Sequence, residues 1–225
     1  MTTVIHIVAW LLLVLMVLLL NSLPLVMINV LSPMQQWIFL IIYGAILVYL
    51  FNLLSKRYNL RTRDYFKRLE RADWLWNFGM FLVLRVIAIS GTLLLTKIYG
   101  TDLSANDTII NELMMNLQAA PLISNLLFLV STTFIAPFFE ELVFRGFGTR
   151  LLFNNTYGWI QAIVLSAIFS LLHVSNIGEF ILYFILGLGF YLTYKRRGRL
   201  EDAIMVHFLN NSGLLFSVLY FLFTK

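Results

Sequence analysis

The chain has 225 residues, 60% of them hydrophobic and 12% charged, with a formal net charge of +5 and a mean hydropathy of +0.87. That balance excludes a soluble globular domain and points to a protein that lives in a bilayer. With no cysteine, thiol catalysis and cysteine-ligated metal sites are excluded as well.

Runs long enough to cross a hydrocarbon core of about 30 Å recur along the chain. Seven are counted, at roughly residues 4–30, 37–54, 75–98, 119–144, 158–174, 180–195 and 203–223. The first has no Lys or Arg ahead of it and no small-residue cleavage site, so it reads as a retained anchor rather than a signal peptide. Pro24 is a candidate kink within it, and the pattern leaves room for an eighth, shorter segment. The expected fold is all-α, a polytopic membrane helical bundle of about seven transmembrane helices. Residues 1–118 supply N-terminal membrane helices with a basic link, and residues 119–223 a C-terminal helical core, together one continuous membrane domain.

The position of the charges explains their excess without a nucleic-acid partner. The link from Ser55 to Asp73 holds Lys56, Arg57, Arg61, Arg63, Lys67, Arg68 and Arg71, and the link before the last run holds Lys195, Arg196, Arg197 and Arg199. Arg145 and Arg150 flank the turn after the fourth run, whereas the link Thr101–Asn116 carries only the acids Asp102, Asp107 and Glu112. The positive-inside rule places the basic links in the cytoplasm and the acidic one outside. A multi-pass protein of the cell membrane with a cytoplasmic N-terminus is the expectation. The basic stretch 56–71 can also touch anionic lipid heads.

Against this background six polar residues stand out. Glu140, Glu141 and Arg145 interrupt the fourth run, His173 ends the fifth, and His207 with Asn211 lies in the seventh. Ionisable groups in membrane-spanning segments are costly unless paired or hydrated, and so mark function by default. Glu140 and Glu141 point about 100° apart on a helix and cannot share one task. Arg145 is four residues after Glu141, the spacing of an ion pair along one face, which leaves Glu140 to a cavity. A purely structural ion-pair knot explains these three equally well. Phe169 and His173 repeat the four-residue spacing, so the phenyl ring can restrict the imidazole. His207 and Asn211 repeat it again, and interhelical glue is the plain alternative there.

Residues 154–158, Asn-Asn-Thr-Tyr-Gly, form a good turn between the fourth and fifth runs. In an antiparallel hairpin Glu140 and His173 then lie at nearly the same height, about 21 Å from that turn. Arg150 is expected to project beyond the hydrocarbon, with Glu140 and His173 below the cytoplasmic surface, and Ser175–Glu179 is a candidate break in the helices.

In their order and spacing, Glu140-Glu141…Arg145, Phe169…His173 and His207…Asn211 resemble the signature of the CPBP family, the CAAX proteases and bacteriocin-processing or Abi proteins. The likeness covers about residues 119–223. It implies a glutamate-dependent intramembrane endopeptidase acting on membrane-associated peptides or proteins, in CAAX-type processing, peptide maturation or bacteriocin self-immunity. It also implies that Glu140 with His173 activates a water while His207 with Asn211 holds the oxyanion, and Glu141, Arg145 and Phe169 are read as supports. Glu140, His173 and His207 could alternatively be three ligands of a catalytic Zn2+, although water held by Glu and His needs no metal. The lack of an added soluble domain favours a bacterial enzyme acting on peptides or conferring immunity.

Rival intramembrane chemistries are poorly supplied. There is no His-Glu-x-x-His, and the five aspartates all fall in links, which leaves no aspartyl dyad. Gly187-Leu188-Gly189 reads as a close helix-packing patch. A non-proteolytic scaffold or immunity protein retaining the fold is the alternative of another class, and a proton-coupled transporter using the buried acids is a third.

Overall fold

Backbone polar groups in hydrocarbon must be satisfied within their own segment, so each apolar run is expected to be helical. The computed structural model, described here for residues 2–62, 68–100, 121–154, 158–174 and 176–223, is all-helical in this sense, with no strand among the described residues. The helices are α1 (Thr2–Val30), α2 (Pro33–Thr62), α3 (Arg71–Tyr99), α4 (Leu122–Phe153), α5 (Trp159–Leu171), α6 (Ile177–Arg197) and α7 (Leu200–Phe223). Each coincides with one of the seven apolar runs. The acidic link 101–116, residues 63–67 of the basic link, Asn155 to Tyr157 of the turn and Ser175 lie outside the described residues.

Among the described residues five helices, α1 to α4 and α6, are long and apolar enough to cross a membrane. The fifth run does not give such a helix. α5 has 13 residues, about 20 Å at 1.5 Å per residue, and falls short of a crossing of about 30 Å. Its backbone turns at Leu172 and His173, and α6 then restarts behind an Asn176 cap, whose Oδ1 accepts from Glu179 N at 2.9 Å. The break expected at 175–179 is therefore a capped helix start. α1, by contrast, continues through Pro24.

α4 is the most buried of the five long helices. α1, α2, α5 and α7 pack around it, and α3 lies across α6 and α7. The outer faces of α1 to α3 stay apolar and exposed, as Leu11, Leu15, Ile41, Leu75, Val86 and Leu93 show, which suits a lipid-facing surface. The glycine pair of α6 is a packing patch: a Cβ on Gly189 would overlap the Leu84 side chain, and one on Gly187 would meet Ser166 Cβ at 3.1 Å.

The basic residues at the helix ends are mostly committed. Arg196 Nη2 bonds Asp73 Oδ1 at 2.8 Å, while Arg197 pairs with Asp73 and grips Asp202 through Nε (2.9 Å) and Nη2 (2.7 Å). Asp73 and Asp202 thus sit in the first turns of α3 and α7, not in links, and the clamp ties the starts of those helices to the end of α6. Both carboxylates are taken up by guanidinium groups, which leaves no dyad to share a proton. Arg150 is buried against Tyr58, over its ring at 3.4 Å and bonded to its carbonyl at 3.0 Å, rather than standing free in water.

Candidate functional site

The two glutamates lie on a helix that is not regular. Two wide, π-helical stretches, Ser131–Ile135 and Leu142–Gly148, bracket the segment Ala136–Glu141. Pro137 explains the first. It has no N–H to continue an α-helical ladder, and its ring crowds the preceding turn, so the helix widens to pass it. Ala136 N bonds Ser131 O instead of Thr132 O. The Thr132 carbonyl, left short of a helical donor, accepts Asn211 Nδ2 from α7 at 3.0 Å. Asn211 is thereby placed against the wide turn below Glu140.

Glu140 is the meeting point of three other segments. Its Oε1 accepts Asn21 Nδ2 of α1 at 2.6 Å. His173 Nε2 lies 3.8 Å from Oε1, and His207 Nε2 lies 3.8 Å from Oε2. The height match read from the hairpin is therefore present as a contact. Glu140 and His207 are nearly sequestered, whereas the His173 side chain keeps 21% of its surface, so the cluster opens on the His173 side.

The hydrogen bonds behind each imidazole fix its orientation. His173 Nδ1 is 2.7 Å from Phe169 O, and a carbonyl can only accept, so Nδ1 carries the proton and Nε2 turns to Glu140. His207 Nδ1 is 2.8 Å from Glu141 Oε1, which makes the same assignment when that carboxylate is ionised. Rings hold both in place. His173 packs between Phe169 (4.4 Å) and Tyr183 (5.7 Å), and His207 stacks on Phe190 at 4.3 Å.

Glu141 and Arg145 form the pair that their spacing predicts, Nη1 to Oε1 at 3.0 Å, with neither side chain exposed. Arg145 Nη2 also donates to Gly187 O at 2.9 Å, and its guanidinium lies over Phe169 (4.7 Å) and Phe190 (5.5 Å). One oxygen of Glu141 thus connects Arg145 of α4 to His207 of α7. Phe169 touches His173, Arg145 and His207 at once. Sequence reasoning missed Asn21, Tyr183 and Phe190. Asn21 carried a signal, an amide inside an apolar run, but nothing local tied it to a glutamate 119 residues away.

The zinc reading needs three donors aimed at a common point. Here the two imidazoles approach different oxygens of Glu140, and among the described residues no group of three or more His, Cys, Asp or Glu side chains is arranged to hold a metal ion.

Residues 122–213 match the family described as type II CAAX prenyl endopeptidase, Rce1-like. The resemblance to the CPBP family holds. The matched region contains every residue of the Glu140 cluster except Asn21. A Bacillus subtilis (strain 168) protein named "Putative membrane peptidase YdiL" is 24% identical over 139 residues, covering 61% of this chain and 53% of that protein. The chain thus spans about half the length of the curated relative it matches. No solved structure matches.

Proposed function

We propose that the protein is an intramembrane endopeptidase that hydrolyses peptide bonds of membrane-associated peptides or proteins. The reading is supported most by one observation: two imidazole Nε2 atoms, one from the turn after α5 and one from α7, approach the two oxygens of Glu140, each at 3.8 Å. That is longer than a direct hydrogen bond and suits a water touching both partners.

In this reading Glu140 takes a proton from water as the oxygen bonds to the scissile carbonyl carbon, and His173 Nε2 orients that water. The carbonyl electrons move onto oxygen, and the oxyanion is met by His207 in its doubly protonated form, with Nδ1 on Glu141 and Nε2–H forward. Asn211 supplies its second amide hydrogen, the first being given to Thr132 O. Collapse expels the amine, which takes the proton from Glu140. Glu141 and Arg145 keep the imidazole aimed, and Phe169 packs both rings. The opening faces the cytoplasm if the basic helix ends do.

Assay of purified protein in detergent against a library of membrane peptides tests this directly. Glu140→Ala, His173→Ala and His207→Ala should each abolish cleavage at unchanged abundance, and Asn211→Ala should leave a residue of about 10⁻² to 10⁻³ of the rate. The rate should survive dialysis against a chelator. Full activity in Glu140→Ala refutes the proposal, and loss on chelation reversed by zinc returns the metal to Glu140, His173 and His207.

A further inference from the structure

The second wide turn of α4, Leu142–Gly148, contains no proline. Pro137 crowds the turn that precedes it and leaves this one untouched. Wide turns within α-helices are rare and recur at functional sites. Here the contact from outside comes from α1. Trp10 Nε1 donates to Val143 O at 3.1 Å, across 133 residues of sequence, and the indole is only 3% exposed. Its neighbours Leu11, Leu12 and Leu15 face outward, whereas Trp10 is turned to α4. A buried indole N–H needs an acceptor, and this carbonyl is the one it finds. The fit is close, because a Cβ on Gly148 would lie 3.1 Å from Nε1 and 3.3 Å from Val143 O.

The turn carries part of the proposed site. Arg145 lies inside it and Glu141 immediately before it. Their ion pair meets His207, whose Nδ1 rests on Glu141 Oε1. Beyond the turn, α4 is anchored separately, by Arg150 on Tyr58. Closing the turn to the regular register would rotate the Glu140–Glu141 face against that anchor by about 100°, the angle of one residue. Glu141 would then leave His207. A second line of contact runs through rings. Trp10 meets Phe144 edge-on at 5.9 Å, Phe144 meets Phe169 at 5.5 Å, and Phe169 lies under Arg145 at 4.7 Å. Trp10 itself is outside the matched residues 122–213.

We propose that Trp10 is a positioning residue for the hydrolysis: its Nε1–H holds the second wide turn open and so keeps Glu141 and Arg145 aiming His207. The assignment deepens the peptidase reading and rests on it. α1 is then more than a lipid-facing wall, since it sets the register of the helix that bears the proposed base.

Two substitutions separate the N–H from the ring. Benzothienylalanine at position 10 keeps the bicyclic ring and puts sulfur in place of the N–H, and Trp10→Phe removes the N–H with part of the ring. Full-length protein in detergent is made in each form with isotope-labelled histidine, so that three imidazoles are read by NMR. In the sulfur isostere kcat should fall about five- to tenfold, the worth of one neutral hydrogen bond. KM and the thermal midpoint should hold, because a closed turn satisfies Val143 O from the backbone. The His207 ring signals should shift in the same sample. Trp10→Phe should lose at least as much. Unchanged kcat with an unmoved His207 signal in the isostere overturns the proposal and leaves the peptidase standing. A loss confined to Trp10→Phe also overturns it, because the effect is then ring packing, as does a lowered midpoint with kcat per folded molecule intact. A raised KM alone overturns it too, by moving Trp10 to substrate binding. A wild type that cleaves nothing, with a His207 signal that still shifts in the isostere, keeps the hold on the imidazole and rejects the peptidase.

Discussion

At the scale of residues, Glu140 is held by groups from two other helices and one turn, and the least expected is Asn21. Its amide donates to Oε1 at 2.6 Å, while its Oδ1 is buried without a partner. Replacing it with an apolar side chain of similar size removes a donor to the proposed base and an unsatisfied acceptor together. Stability should therefore change little, because the deleted acceptor was a cost. Asn21→Leu should lower kcat roughly tenfold or more, as expected for a lost hydrogen bond to a charged group, with KM and the thermal midpoint unchanged. Asn21→Gln, which keeps the donor, should recover part of the rate. A raised KM with kcat intact would instead make Asn21 a contact to substrate. The contrast with Glu141 and Arg145 shows what a sequence can reveal at this scale. Their contact follows from four-residue spacing on one helix, as does that of Phe169 with His173. The bond from His207 to Glu141 spans 66 residues and that from Asn21 spans 119. No periodicity relates positions on different helices, so those contacts were legible only as a shared need for partners.

Among the elements, α4 departs most from expectation, and it does so without changing its composition. A wide turn has the same apolar residues as a regular one, so the stretches Ser131–Ile135 and Leu142–Gly148 left no trace in the pattern beyond Pro137 itself. The helix and its approximate ends were readable because hydrocarbon leaves the backbone no other way to satisfy itself. The shortening of α5 was not, since residues 172–174 are as apolar as a helix end and the Asn176 cap lies beyond them. Pro137 offers a test of the wide turn's purpose. In Pro137→Ala a restored N–H can close the helix near Thr132 and compete with Asn211 for that carbonyl. Removing an interior proline should raise the thermal midpoint, since the residue costs up to about 3 kcal/mol in a regular helix. Activity should fall several-fold at the same time. A variant more stable and equally active would mean that the wide turn serves only to accommodate the ring.

For the whole molecule the open quantity is direction across the membrane. The ends of α2, α4 and α6 and the starts of α3 and α7 gather on one side, through Arg150 on Tyr58 and through the Arg196, Arg197, Asp73 and Asp202 clamp. Those ends carry most of the basic residues, so the charge rule applies to one coherent face rather than to separate loops. It argues for that face in the cytoplasm. The cysteine-free chain makes the test clean. Gly198 is a poor reporter site, because its φ of 66° is a left-handed conformation that a cysteine side chain would strain. Lys56 is exposed near the end of α2 and makes a better one. Lys56→Cys should react with a membrane-impermeant maleimide only after the cells are opened, and Ala105→Cys, in the acidic link, should react in intact cells. The reverse pattern would turn the Glu140 site towards the outside. The substrates within its reach would then be peptides arriving from the medium or already exported, not those emerging from the cytoplasm.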